Sequence, residues 1–402
     1  MTAFLIVVAL TGSLLAFRTE LERLVAPQLF ARDRTGTPLD PVTLIERGQA
    51  IEPRVRVLAV SLKEDGRAQL EFRPRVDPAT GKRFVLDFNE IFLDPYTGKE
   101  LGRRRNGDIS QGLVNLMPFM RLVHGDLAWR PNGTRLLGWI ALLWTLDCFA
   151  ALYLTLPGWR RPSSPDAGKG WLSRWGSSWR VKWDRSAFPL NFQVHRASGL
   201  WVWVMMLMFA WSSVYLNLSK VYAPVTRAFL NYPTRNNMGG EPMLAKPVDN
   251  PILSWSEARN QAEAELVRAG LTLRRVESFS YSPQMGAYTY RVATNMDIQT
   301  TGGRTYVLID GNTGQLNELR LPSGQHSGLT FTNWIYALHM ANVFGLPYRI
   351  LVFVAGLVLT MLSVTGVYIW WKKLGFRRHA ARLAQAQIGR EKHGGNWLRE
   401  VT

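Results

Sequence analysis

The sequence predicts an α-helical membrane protein: a bundle of four transmembrane helices carrying two α+β domains on one side of the bilayer. Three observations predict it. Hydrophobicity in the 402 residues is gathered into blocks rather than spread by periodicity. The longest block, 346–371, holds no ionisable side chain beyond Arg349 and the phenols of Tyr348 and Tyr368. As a helix it reaches about 39 Å, enough to cross a hydrocarbon core of about 30 Å. The 48 Lys and Arg against 30 Asp and Glu, a formal charge of +18, are densest beside the apolar blocks. That placement is membrane-flank logic and argues against nucleic acid as a partner. One cysteine, Cys148, lies inside an apolar block, so the chain has no disulfide framework and no C-x-x-C-H for covalent haem attachment. Any haem must be held by coordination alone.

Residues 1–17, MTAFLIVVALTGSLLAF, are apolar and span about 25 Å as a helix. No Lys or Arg precedes them, so they read as a first transmembrane helix lacking its beginning rather than as a signal peptide. Residues 18–134 are polar and mixed: a helix-like PVTLIERGQAI, then alternating VRVLAVSL and KRFVLDFNEIFLDP, then the turn signal Asp94-Pro95-Tyr96-Thr97-Gly98. The second span, 135–157, carries Trp139, Trp144, Asp147 and Cys148. Residues 158–194 form a basic loop with Arg160, Arg161, Lys169, Arg174, Arg180, Lys182 and Arg185 against Asp166 and Asp184. Short loops with that bias stay in the cytoplasm.

The third span is 195–216, opened by His195 and Arg196. A second outer domain, 217–338, follows. Its clearest helix covers 254–269, with Ser254 and Glu257 at capping-box spacing and Gly270 just past the end. RRVESFSY, GAYTYRVAT and GRTYVLID then read as strands. The fourth span is 339–371, closed by the Trp370-Trp371 belt and Lys372-Lys373, and 372–402 is a basic cytoplasmic tail. Both termini are thus expected inside and both large loops outside. The outer domains read as copies, because Asp94-Pro-Tyr-Thr-Gly98 and Asp310-Gly-Asn-Thr-Gly314 share D-x-x-T-G after a hydrophobic strand.

These spans sort the histidines by depth. His124 precedes the second span and His339 the fourth, both at the outer face; His195 precedes the third, at the inner face. Two imidazoles at one level on different helices can ligate one haem iron axially. The same pair can hold zinc or copper, or be interfacial. His195 needs an inner-face partner, for which the first helix is the expected source; His379, a methionine of the spans, or no partner are the alternatives. His326, in SGQHSG, is expected to be solvated, and His393 inert. Asp147 is expected to face the bundle interior. Trp139, Trp144, Trp201, Trp203 and Trp211 can line a cofactor but suit belt and packing roles. Thr11-Gly12 and Thr365-Gly366 read as small residues for close helix packing.

Taken together, ALTGSLLAF in the first helix, LVHGDL before the second, VHRASGLW opening the third and LHMANVFGLPYRI leading to LSVTGVYIWWKK resemble the PepSY-associated transmembrane proteins. The two D-x-x-T-G domains resemble that family's PepSY domains. Its better understood members are bacterial inner-membrane, haem-containing reductases that release iron from ferric siderophores on the periplasmic side. The resemblance implies one or two b-type haems, with iron ligated by His124 and His339 outside and by His195 inside. The family's further histidine, in an L-H-R-W-x-G-L stretch before the first helix, has no counterpart in these residues. The resemblance also implies a ferric siderophore or similar ferric chelate as substrate. No flavin or nicotinamide motif is present, so the donor is a separate molecule, a quinol or a flavin reductase. Two further classes stay open: a non-redox membrane protein binding or regulating a peptidase or envelope partner, and a transporter, for which polar residues inside the spans are scarce.

Overall fold

A computed structural model describes residues 2–31, 36–158, 170–233 and 243–394. Its first helix, α1 (Thr2–Leu15), is apolar but for Thr2, Thr11 and Ser13 and is followed at a 76° bend by the charged α2 (Arg18–Val25). α3 (Pro41–Ile51) starts where Asp40 caps it: its carboxylate accepts the Val42 N–H at 2.7 Å, and Pro41 presets the first turn. Four strands follow, β1 (Val55–Lys63), β2 (Arg67–Pro74), β3 (Glu90–Leu93) and β4 (Glu100–Arg104). Then come α4 (Leu116–Asp126), α5 (Asn132–Thr155), α6 (Trp171–Gly176), α7 (Ala187–Trp201), α8 (Trp203–Asn217) and α9 (Ser219–Phe229). The second half repeats the first: α10 (Trp255–Arg268), β5 (Leu273–Ser282), β6 (Ala287–Thr294), β7 (Thr305–Asp310) and β8 (Leu316–Arg320). α11 (Ser327–His339) and α12 (Gly345–Gly394) close the chain.

The eight strands form one antiparallel sheet in the order β4-β3-β2-β1-β5-β6-β7-β8. Each half is a meander preceded by a helix, and the halves join where β1 pairs with β5 through Ala59 and Ser280, Val60 and Phe279, and Ser61 and Ser278. The D-x-x-T-G turns are built alike. Asp94 Oδ1 accepts the N–H groups of Tyr96 and Thr97 at 2.8 and 3.1 Å, and Asp310 Oδ1 those of Asn312 and Thr313 at 2.9 and 2.7 Å. Gly98 and Gly314 then take φ of 70° and 72°, a left-handed conformation that glycine adopts without strain. α3 and α10 cover one face, where Leu44, Ile45, Ala258, Ala262 and Leu266 meet Leu70, Ile91, Phe279 and Val307. The capping box at Ser254 and Glu257 is present in full and starts α10 as its spacing predicts.

On the first half, a buried charge network ties α2 to the strands. Glu22, with no exposed side-chain surface, accepts from Arg104 at 2.6 Å and from Arg67 at 3.2 Å, while Arg104 also donates to Glu90 at 2.7 Å. Burial pushes the Glu22 pKa up, but Arg67, Arg18 and Arg104 outweigh it and hold it at about 2. A carboxyl depressed in the folded state stabilises above its unfolded value of 4.5, and that stability drains away as pH falls from there toward 2. Glu22→Ala leaves Arg67 with Asp65 and Arg104 with Glu90 but removes the carboxylate the two guanidiniums share, so the sheet is expected to lose about 1.5–3 kcal/mol. Chemical denaturation at neutral pH checks this; an unchanged midpoint would overturn it.

Two compact units are distinguished. The larger comprises Thr11–Leu143 and Met208–Phe353 and contains the whole sheet. There Tyr222 of α9 bonds Thr332 of α11 between hydroxyls at 2.8 Å, and Arg349 of α12 donates to the Ala16 carbonyl at 2.8 Å and to Glu20. The other unit comprises Met1–Leu10, Trp144–Leu207 and Val354–Thr402. In it Trp171, Trp175, Trp179 and Trp201 form a run of ring contacts with centroids 5.6, 5.4 and 5.2 Å apart. Phe188 of α7 packs on Tyr368 and Phe376 of α12.

Among the described residues, Asn132–Thr155 and Gly345–Ala380 are each long and apolar enough to cross a membrane, and two bent helix pairs raise the count to as many as four. The third span differs from the continuous helix read over 195–216. α7 and α8 meet at Val202 with a 66° bend, and His195 lies within α7. Indole N–H bonds pin both sides of the break, from Trp201 to the Trp179 carbonyl at 3.2 Å and from Trp203 to the Cys148 carbonyl at 2.8 Å. Asp147 lies exposed on α5, beside the buried Trp144, Thr145 and Cys148, rather than facing inward.

Candidate functional site

His124 and His339 come together although 215 positions separate them. Their ring centroids are 6.3 Å apart at an interplanar angle of 64°. His124 stands in the last turn of α4, which stops as Leu127 and Ala128 turn left-handed. His339 is the final residue of α11, not the first residue of the membrane helix as read from sequence. α11 ends there because Ala341 takes φ 53°, with the Asn342 N–H returning to the Ala337 carbonyl at 2.9 Å. α12 begins only at Gly345.

Hydroxyl groups from other helices orient each ring. Thr11 Oγ1 of α1 lies 3.2 Å from His124 Nδ1, and Ser212 Oγ of α8 lies 2.6 Å from His339 Nδ1. Ser212 has one proton, which it donates to the Phe209 carbonyl at 3.0 Å. It therefore accepts from His339 Nδ1–H, and this tautomer leaves the Nε2 lone pair as the basic site of the ring. Phe209 also packs edge-on against His339, centroids 5.5 Å apart. Gly12 allows the His124 ring to lie against α1, since a Cβ there would stand 2.8 Å from Cε1.

His195, in the other unit, is held by the same device. Its Nδ1 is 2.8 Å from Thr365 Oγ1, and that hydroxyl donates to the Met361 carbonyl at 2.8 Å, so the imidazole is again the donor through Nδ1–H. A Cβ on Gly366 would lie 3.3 Å from His195 Cε1. From Thr365 to His379 is about 21 Å along α12, and His379 is exposed, so it does not partner His195. His326 precedes α11 and is half-buried: its Nδ1 is buried with no hydrogen-bond partner among the described residues. The His393 side chain and Arg160, Arg161, Asp166 and Lys169 lie outside the described residues.

The two T-G pairs thus do more than allow close packing: each supplies a hydroxyl and a methyl-sized space to a histidine. Their repetition in the first and last helices was a sequence signal for this role; Ser212 had none. Trp144 is buried in its helix packing and Trp211 stacks near Tyr222, centroids 5.3 Å apart, while Trp139 and Trp201 are exposed. With metal–imidazole bonds of about 2.0–2.1 Å, two rings opposed across one metal have centres roughly 6 Å apart. The separation of His124 and His339 matches that geometry. No group of three or more His, Cys, Asp or Glu suited to a metal occurs among the described residues, so the protein side of such a site is a two-imidazole set.

The family description PepSY-associated TM region matches residues 1–373. No curated protein sequence matches the chain significantly. Apolar helices long enough to span a bilayer, a predominantly antiparallel sheet and a match over nearly the whole chain lead to one conclusion: this membrane protein belongs to the PepSY-associated TM region family.

Proposed function

We propose that the chain is a haem-b-containing inner-membrane reductase that passes electrons to a ferric siderophore or similar ferric chelate in the periplasm for iron release. The observation that carries this reading is the His124–His339 pair, 6.3 Å between ring centres and without a third protein donor among the described residues. Such a set suits a metal that arrives with its own equatorial ligands, whereas structural zinc takes four protein donors. Haem supplies one-electron transfer when bound. His124 and His339 would be its axial ligands, oriented by Thr11 and Ser212, and His195, oriented by Thr365, would serve a second haem at the inner face.

In this reading the helices form a four-span bundle with both termini and the basic loop in the cytoplasm, and the two halves of the sheet are PepSY-like domains in the periplasm. A separate quinol or flavin reductase gives the electron. One electron converts chelated Fe(III) to Fe(II), which hard oxygen ligands hold less tightly. A second reading, a non-redox protein docking a peptidase or envelope partner, is favoured by the terminal strands β4 and β8, whose outer edges can pair with an added peptide strand.

A reduced-minus-oxidised visible spectrum of the detergent-purified protein, with pyridine haemochrome quantification, separates the two. One or two b-type haems per chain are expected. A folded but colourless protein, expressed with ample haem supply, would overturn the reductase reading and leave the docking one.

A further inference from the structure

The apolar run 346–371 ends at Lys372 and Lys373, which puts their ammonium groups at the level of the lipid headgroups on that side of the bilayer. In the unit that holds both Trp144–Leu207 and Val354–Thr402, α7 lies beside this end of α12. Phe188 packs on Tyr368 and Phe376 with centroids 6.4 and 5.7 Å away. One turn further along α7, the Phe192 ring takes Lys373 Nζ at 5.3 Å from its centre. The same ring takes the Arg196 guanidinium, with Cζ 5.9 Å from the centre. The two positive charges are therefore no farther apart than those two distances laid end to end. Lys372 is placed likewise on the Tyr368 ring, with Nζ 5.9 Å from its centre.

Among the described residues no carboxylate neutralises them. The acidic side chains described in this unit are Asp147 and Asp184; Asp184 pairs with Arg185 at 3.8 Å, and neither forms an ion pair with Arg196 or Lys373. Arg196 donates through Nη2 to the Ser177 carbonyl at 3.2 Å. Its Nε is buried with no acceptor, and its Nη1 is not buried and has none among the described residues, so one carbonyl is all that serves five donors. A guanidinium so placed gains free energy when an anion joins it. The wall that carries Ser177 is itself fixed. Ser178 Oγ donates to the Thr155 carbonyl, Trp175 Nε1 to Thr155 Oγ1 and Trp201 Nε1 to the Trp179 carbonyl, each at 3.2 Å. Trp171, Trp183, Trp201, Trp370 and Trp371 of this unit are exposed, the amphipathic side chains that a headgroup layer favours.

We propose that Arg196 and Lys373, set about the Phe192 ring, form a binding site for the phosphate of an anionic phospholipid in the leaflet on the Lys372–Lys373 side. The phosphodiester is the anion that a bilayer presents at that depth, and basic pockets between membrane helices are suited to it. The guanidinium offers its open edge and the ammonium a point charge to the phosphate oxygens. Neither described carboxylate of the unit pairs with these cations, so the site favours a headgroup without an ammonium of its own, phosphatidylglycerol over phosphatidylcholine. The site depends neither on haem nor on which side of the membrane is cytoplasmic.

The test uses the full chain in detergent and native mass spectrometry, which counts the lipids retained as phosphatidylglycerol or phosphatidylcholine of the same acyl chains is added. Wild type is expected to bind its first phosphatidylglycerol about tenfold tighter than its first phosphatidylcholine. Arg196→Gln is expected to remove most of that preference and Arg196→Lys to keep part of it, since lysine retains the charge without the fork. Lys373→Gln, at an exposed position, is expected to give a similar loss and stands in should Arg196→Gln fail to fold. Arg378→Gln, exposed farther along α12, removes the same charge away from the site and is expected to leave the preference unchanged. Equal binding of the two lipids by wild type, or a preference that survives either substitution at the site, would overturn the inference. So would an equal loss in Arg378→Gln, which would make the effect one of overall charge. Haem takes no part in the measurement, so the result decides this inference whether or not the reductase reading holds.

Discussion

On the proposed reductase reading, His339→Ala is expected to remove the haem held by the His124–His339 pair while the protein remains folded and inserted, the largest effect of any single change. The reason is the size of the donor set. With two imidazoles and no third donor among the described residues, loss of one leaves a single protein ligand on the metal. The fold does not rest on this ring, because α11 is anchored elsewhere, by the Tyr222–Thr332 hydroxyl pair at 2.8 Å and by Asn333 donating to the Pro322 carbonyl at 2.8 Å. The b-type absorbance is expected to fall to zero if the protein carries one haem, and to half if it carries two. A variant that keeps full haem content with an unchanged spectrum would remove His339 from the site. His195→Ala, made in parallel, separates the cases by removing the inner signal alone.

Gly12→Ala is the second large effect, and its sign differs between stability and cofactor content. Within a helix, alanine is favoured over glycine by about 1 kcal/mol, so α1 itself should gain. The added Cβ would stand 2.8 Å from His124 Cε1, closer than a real Cβ contact allows, so the imidazole must move. On the proposed reading, in which His124 would hold haem, its displacement is expected to cost most of the haem at that pair. Thermal melting unchanged or raised, together with haem content sharply reduced, is the predicted combination. The corresponding change at Gly366, with 3.3 Å to His195 Cε1, leaves more room and should cost less. Equal and full haem content in Gly12→Ala would show that the ring does not need its place against α1.

How much of this was legible before the structure depends on how far apart the interacting residues lie. The membrane character, the capping box at Ser254 and Glu257, and the paired D-x-x-T-G turns are local: each is decided by side chains within a few positions, and the apolar length of 346–371 is a sum over one segment. The histidines were legible as candidates for the same reason, being rare polar residues beside apolar blocks. Their partners were not. Ser212 meets His339 across 127 positions, Thr11 meets His124 across 113, and Thr365 meets His195 across 170, and no local pattern encodes such meetings.

The sequence by itself determined family and membrane character and singled out the histidines as candidates. Only the tertiary structure decided that β1 pairs with β5 to make one sheet, that His339 ends α11, that α7 and α8 meet at a bend at Val202, and that His124 and His339 lie 6.3 Å apart between ring centres. The physical reason is that helices, caps and turns are stabilised by neighbours in the chain. A pairing register, a helix crossing or a histidine pair is stabilised by contacts whose partners are chosen only when distant segments pack.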